Sequence, residues 1–269
     1  MDPEASAPIE SGHTTSSDGT TIGWHRLGTG PAIVVVHGVL ATGEQFLPVA
    51  HALADEYTLF LVDRRGRPLS GNAENYGLAT EIADVEAVLA VAGPGATLFG
   101  HSYGAVVSAA AAAGTDISAL VLYEPPLLVN GPFPESAMTA IAAAIDGGDN
   151  DRALSIFLSD ILHESDTAIA DRRQTPMWTE WAALAPVWMR ELRVIDTLVD
   201  DLDRFTAIRQ RTLLLFGTDS PQYLIDATRF VAEHTPDSTL VEFPGQEHFA
   251  HVTEPVAVAD AVRSFLRRA

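Results

Sequence analysis

The sequence contains no cysteine and no lysine. Without cysteine there is no disulfide framework, no thiolate metal site and no thiol nucleophile, and the chain carries no mark of its redox compartment. Without lysine, all 16 basic residues are arginine, set against 36 acidic ones for a formal net charge of −20. Clustered positive charge is what binds a phosphate backbone, so nucleic acid is not expected as a partner. The one dense basic run, Arg64-Arg65-Gly66-Arg67, needs another explanation. Long apolar runs are also missing. The stretch from Gly104 to Gly114 is about half of the roughly 20 residues a bilayer-spanning helix requires, so no membrane association is expected. The opening residues Met1 to Ser6 lack the basic and apolar regions of a secretory signal. A cytoplasmic location is therefore the expectation.

What is present suits one folded domain. Over 269 residues, 47% are apolar and 19% charged, the balance of a globular chain with a full core. Residues 1–11, rich in Pro, Ser, Ala and acid, read as a disordered lead-in to a single domain over 12–269. From Thr14 to Leu27, two alternating stretches around Asp18-Gly19 predict a hairpin. Continuous apolar runs then recur at Ala32 to Val36, Thr58 to Val62, Ala96 to Phe99, Ala119 to Tyr123, Thr212 to Phe216 and Thr239 to Phe243. Their shortness and lack of alternation predict strands buried on both faces. Helical patterns lie between them, which predicts an α/β fold: a doubly wound, mostly parallel sheet with helices on both faces. The alternation breaks at about 126–208, where helical spacing and Trp178, Trp181 and Trp188 predict a helical cap insertion. These tryptophans are expected to form the insertion's own small core, with a substrate-lining role as the alternative.

Gly100-His101-Ser102-Tyr103-Gly104 matches G-x-S-x-G directly after a predicted strand and at the start of an Ala-rich helix. A sharp strand-to-helix turn raises the serine into a site and brings backbone close on both sides, which requires small residues two before and two after. A serine hydroxyl needs a base to take its proton, and the base needs an acid to orient it. His248 is the expected base. His251 falls in the following helical stretch, and His101 is expected to point away from the serine as a packing residue. The His/Glu cluster at 247–251 lacks H-E-x-x-H spacing, so no metal or other cofactor is expected.

Taken together these residues resemble the α/β-hydrolase fold superfamily, from roughly Thr14 to the C-terminus. His37-Gly38 resembles the family's oxyanion loop, and Asp63-Arg64-Arg65-Gly66 its D-x-R-G-x-G-x-S turn. The nucleophile elbow follows, then Pro244 to His248 as the loop carrying the base. Pro68 and Glu247 each replace a usual glycine. The resemblance implies a structural role for the arginine run. It also implies an oxyanion hole from the backbone N–H groups of Val39 and Tyr103, and Ser102 as nucleophile of a hydrolase acting on esters, lactones or thioesters. For the acid it leaves two positions. The register three residues beyond Gly217 lands on Ser220, with Asp219 one residue short, whereas Glu124 at the end of an earlier strand matches the position some dehalogenases and lactonases use. Glu124 is the expectation and Asp219 its alternative. A serine nucleophile argues against haloalkane dehalogenase and epoxide hydrolase chemistry. C–C bond hydrolysis, cofactor-free perhydrolysis and a non-turnover small-molecule receptor remain the alternatives on this fold. The expected partner is a small-molecule substrate, and oligomeric state is not legible.

Overall fold

The computed structural model describes residues 8–268. The chain enters through an antiparallel hairpin, β1 (Glu10–Thr15) and β2 (Thr21–Gly28). The lead-in expected over 1–11 thus ends too late. Glu10 and Ser11 pair with Arg26 and His25 in the hairpin, while residues 1–7 lie outside the described residues.

Six further strands follow, separated by helices: β3 (Ala32–Val36), β4 (Thr58–Val62), β5 (Ala96–His101), β6 (Ile117–Tyr123), β7 (Thr212–Gly217) and β8 (Ser238–Phe243). They form one sheet in the order β1-β2-β4-β3-β5-β6-β7-β8, antiparallel as far as β4 and parallel thereafter. Helices α1 (Leu47–Leu53), α2 (Leu78–Ala92) and α3 (Tyr103–Ala112) connect the early strands. The period-2 geometry of a strand explains the two cores. Ile33 and Val35 of β3 join one cluster with Val49, Val258 and Val262, and Val34 and Val36 join the other with Val85, Val88 and Val106. Both faces of β3 are covered, so its sequence has no reason to alternate.

Between β6 and β7 the chain forms helices α4 (Glu135–Asp146), α5 (Asn150–Ile156), α6 (Asp166–Arg173), α7 (Pro176–Ala183) and α8 (Ala185–Thr197), with a single π-helical segment at Phe157–Ile161. The chain closes with α9 (Gln222–His234), the one-turn α10 (Ala250–Thr253) and α11 (Pro255–Leu266). No helix among the described residues is long and apolar enough to cross a membrane. The chain runs from β3 outward to β4, then back across β3 to β5. The crevice at the C-terminal ends of β3 and β5 is therefore a topological switch point, where open α/β sheets collect their ligands.

Candidate active site

Strand β5 runs two residues further than the apolar pattern indicated, so Ser102 stands directly between strand and helix. Its backbone is at φ 55° and ψ −128°, a conformation that costs a non-glycine residue about 1–3 kcal/mol. The surroundings hold it there. Ser102 N–H donates to the Tyr123 carbonyl at 2.8 Å. A Cβ at Gly100 would overlap the Gly104 carbonyl, and one at Gly104 would overlap the Val36 carbonyl. The two glycines of the pentapeptide are thus required by close backbone approach.

Glu124 follows β6 at φ 48° and is fully buried. Its Oε1 accepts from Gly217 N–H at 2.7 Å and from the Ser220 hydroxyl at 2.6 Å. Its Oε2 accepts from His248 Nδ1–H. A carboxylate can only accept, so this contact fixes the proton on Nδ1 and leaves Nε2 of a neutral ring as the free acceptor. Asp219 is exposed, and its side chain meets only the Thr218 hydroxyl, at 3.1 Å. Of the two acid positions left open by the sequence, the structure brings Glu124 to His248. The Ser220 register position is occupied by a hydroxyl that serves Glu124, an arrangement the sequence hinted at without revealing.

The loop carrying His248 is pinned from beneath. Tyr123 OH donates to the Glu247 carbonyl and accepts from Ala250 N–H, each at 3.0 Å. His101 Nε2–H donates to the His248 carbonyl at 3.0 Å. Its ring lies 4.6 Å from that of His248, and it borders the same cavity as Ser102. As a strand residue next to the elbow it packs under the site, its ring against those of Tyr123, His248 and His251. Burial, with the nearby histidines, holds His101 neutral, its pKa well below the usual imidazole value. His251 lies buried in α10, stacked 4.4 Å from Phe46. Burial and the neighbouring His248 push its pKa down to about 3.

Val39 and Tyr103 each present a backbone N–H near Ser102 that has no protein acceptor among the described residues. The loop bearing Val39 is clamped by the arginine run. Arg67 donates to the carbonyls of Val39 at 2.5 Å and Ala41 at 3.0 Å, and to both oxygens of Glu191 at 2.7 and 3.1 Å. Arg64 reaches Glu191 at 2.6 Å and stands 4.8 Å over the Tyr103 ring, while Arg65 pairs with Asp84 at 2.6 Å. All three arginines are buried. Glu191 on α8 went unnoticed in the sequence. The signal for it is indirect: three buried guanidiniums demand buried carboxylates from elsewhere.

A cavity of about 20 Å³ adjoins Ser102 and His248, lined by Val39, Leu40, Phe157, Leu162 and Phe249. Two larger cavities of about 250 and 220 Å³ adjoin it, the first sharing Leu162, His248 and Phe249 with it and edged by Glu164, Asp219 and Glu247, the second sharing Phe249 and edged by Arg172 and Trp181. Trp181 stacks on Phe249 at 5.5 Å, so this tryptophan lines a cavity, whereas Trp188 packs on Phe157 inside the insertion. Among the described residues no group of three or more His, Cys, Asp or Glu is placed to hold a metal ion.

Comparison with known proteins places this geometry in context. The model of the family described as "Alpha/beta hydrolase family" matches residues 33–261. An alpha/beta hydrolase from Sphaerobacter thermophilus has a solved structure that superposes with a TM-score of 0.85 at 31% identity, covering 95% of this chain and all of that one. An esterase from Rhodococcus shares the fold at TM-score 0.75 and 24% identity, over 96% of this chain and 98% of its own. A 2-(acetamidomethylene)succinate hydrolase from Mesorhizobium japonicum is 26% identical over 265 residues, 91% of each chain.

Proposed function

Because the chain belongs to the alpha/beta hydrolase family, we propose that it is a serine hydrolase that cleaves a small carboxylic ester, lactone or thioester through an acyl-enzyme on Ser102. The observation that carries this reading is His248, bonded from behind by buried Glu124, lining the same cavity as Ser102 at its strained turn.

In this reading His248 Nε2 takes the Ser102 proton as Oγ attacks the carbonyl carbon, and Glu124 stabilises the imidazolium that forms. Negative charge on the carbonyl oxygen is met by the N–H groups of Val39 and Tyr103. Tyr103 adds the positive end of α3, whose first turn holds no acidic residue. Collapse expels the alcohol or thiol, which receives the proton from His248. Water then attacks the acyl-enzyme with His248 again as base, releasing the acid and regenerating Ser102.

The test is hydrolysis of p-nitrophenyl acetate by the wild type and by Ser102→Ala. Turnover that vanishes in a folded Ser102→Ala supports the reading, and turnover that survives it refutes it. A second reading takes its bond from the Mesorhizobium relative's name, with the same side chains acting on an acetamidomethylene dicarboxylate. It is less favoured by the charges present. Arg172, which borders the 220 Å³ cavity, is already paired with Glu164 at 2.7 Å, and Asp219 and Glu247 line both outer cavities.

A further inference from the structure

The N–H of Val39 and the carbonyl of Gly38 belong to one rigid trans peptide and point in opposite directions. Whatever holds that carbonyl therefore aims that N–H. The peptide lies against the nucleophile, since a Cβ added to Gly38 would stand 2.7 Å from Ser102 Cβ and 3.2 Å from its Oγ. The carbonyl is held by a side chain that lines none of the three cavities near Ser102. His37, directly after β3 and fully buried, donates to it from Nδ1–H at 2.7 Å. The Ala41 N–H adds a longer bond to the same oxygen, at 3.4 Å. The other ring nitrogen of His37, Nε2, accepts from the Arg64 N–H at 3.2 Å, just beyond the end of β4.

The two contacts of His37 lock each other. A backbone N–H can only donate, so Nε2 is the acceptor toward Arg64, and the proton of the neutral ring sits on Nδ1 facing Gly38. Burial keeps the ring neutral, its pKa well below the usual imidazole value, and the charges of Arg64 and Arg67 act in the same direction. A turned peptide would present the Val39 N–H to the Nδ1 proton, donor against donor. It would also bring the Gly38 carbonyl toward Ser102, where it would repel developing negative charge. We infer that His37 is a positioning residue for oxyanion stabilisation: through the Gly38 carbonyl it holds the Val39 N–H toward the carbonyl oxygen of a substrate attacked by Ser102. The inference rests on the serine-hydrolase reading above and adds to it a buried side chain that acts without touching the substrate. Removing one such donor costs about 10²–10³ in kcat, which bounds what a misaimed donor costs.

Asparagine and glutamine divide the two contacts. The amide NH2 of His37→Asn falls where Nδ1–H was and can still donate to Gly38, whereas the amide of His37→Gln reaches the Nε2 position and serves Arg64 instead. The experiment measures kcat and KM for p-nitrophenyl acetate with wild type, Ser102→Ala and both His37 variants, with thermal unfolding as the check of folding. The expected result is a kcat for His37→Asn about tenfold or more above that of His37→Gln, with KM within about threefold of wild type in both. A smaller gap between the two, or losses carried by KM, overturns the inference and leaves the serine-hydrolase reading standing. Should His37→Gln not fold, the wild type decides. Diethyl p-nitrophenyl phosphate transfers its phosphoryl group to Ser102 Oγ, the serine proton passes to His248 and p-nitrophenolate leaves; the crystal structure of the adduct then shows where the phosphoryl oxygen sits. That oxygen on the Val39 N–H, with Gly38 still bonded to His37, is the expected outcome. A peptide turned away from His37, or an oxygen that does not reach Val39, overturns the inference. Absence of Ser102-dependent turnover in the wild type defeats the serine-hydrolase reading itself, and the inference falls with it.

Discussion

Replacing Glu124 by glutamine isolates a single atom of the site. The carbonyl oxygen of glutamine can still accept from Gly217 N–H and the Ser220 hydroxyl, the two contacts that tie this position to β7. The other carboxylate oxygen, which accepts from His248 Nδ1–H, becomes an NH2 group. Two donors cannot face each other, so the imidazole is driven to the tautomer with its proton on Nε2. That proton then faces Ser102, where an acceptor is needed, and the imidazolium has lost its counter-charge. Loss of orientation and charge in such a dyad costs about 10²–10⁴ in kcat, or ~3–5 kcal/mol of barrier. Asp219→Asn should change kcat by less than about threefold, since an exposed carboxylate bonded to a neighbouring hydroxyl contributes little. The assay is kcat on p-nitrophenyl acetate for both variants, with thermal unfolding to show that each is folded. A folded Glu124→Gln within tenfold of wild type, or a larger loss in Asp219→Asn, refutes the assignment of Glu124.

Other consequences follow from the buried polar groups and the glycines. Glu191→Gln strips the carboxylate shared by Arg64 and Arg67. Breaking a buried ion pair costs about 3–5 kcal/mol, so the melting temperature should drop by roughly 6–20 °C; a shift under 2 °C on calorimetry rules this out. Gly104→Ala should yield an inactive or unfolded protein, because the added Cβ overlaps the Val36 and His37 carbonyls; normal activity at normal stability contradicts the close-approach argument. The folded pKa of His251 lies near 3, below the ordinary 6.5, and His37 and His101 are also lowered by burial. The unfolded chain therefore binds protons that the folded one refuses. Stability is full above about pH 6.5 and falls as the pH drops toward 3, by up to about 1.4 kcal/mol per pH unit for each such histidine. Urea midpoints measured from pH 7.5 to 4.5 should fall accordingly, and a flat profile over that window contradicts buried neutral histidines.

Which parts of this were readable in the sequence depends on how local the cause is. β3 and β4 run as their apolar patterns indicated, because a strand buried on both faces needs nothing beyond its own composition. The elbow was equally plain, since its pentapeptide follows a strand run and opens an Ala-rich helix, although the backbone that crowds Gly104 comes from Val36 and His37. The end of β5 was missed because Gly100 and His101 are strand by pairing with Leu122 and Tyr123, not by hydrophobicity. Glu10 and Ser11 were missed likewise: exposed edge residues, they are ordered by the β2 ladder. The acid was ambiguous for a related reason. A one-residue offset after Gly217 sends Asp219 outward and Ser220 inward, and only the neighbouring β6 end settles which carboxylate meets His248.

The longest-range link is the one no local pattern could show. Glu191 stands 124 residues beyond Arg67, yet the two are bonded, and the same Arg67 grips the carbonyls of Val39 and Ala41. A peptide's C=O and the N–H of the next residue share one rigid plane, so Arg67, by holding the Val39 and Ala41 carbonyls, limits how the Leu40 and Thr42 peptides can turn and with them the course of the loop that follows Val39. The insertion does more than roof the cavity: through Glu191 it completes the charge balance under the loop that forms the cavity floor. An insertion displaced far enough to withdraw Glu191 would leave buried Arg64 with Glu81 as its carboxylate and buried Arg67 with only the Val39 and Ala41 carbonyls. That cost opposes wide opening of α8, and it favours substrate entry past His248 and Phe249, where the outer cavities already lie.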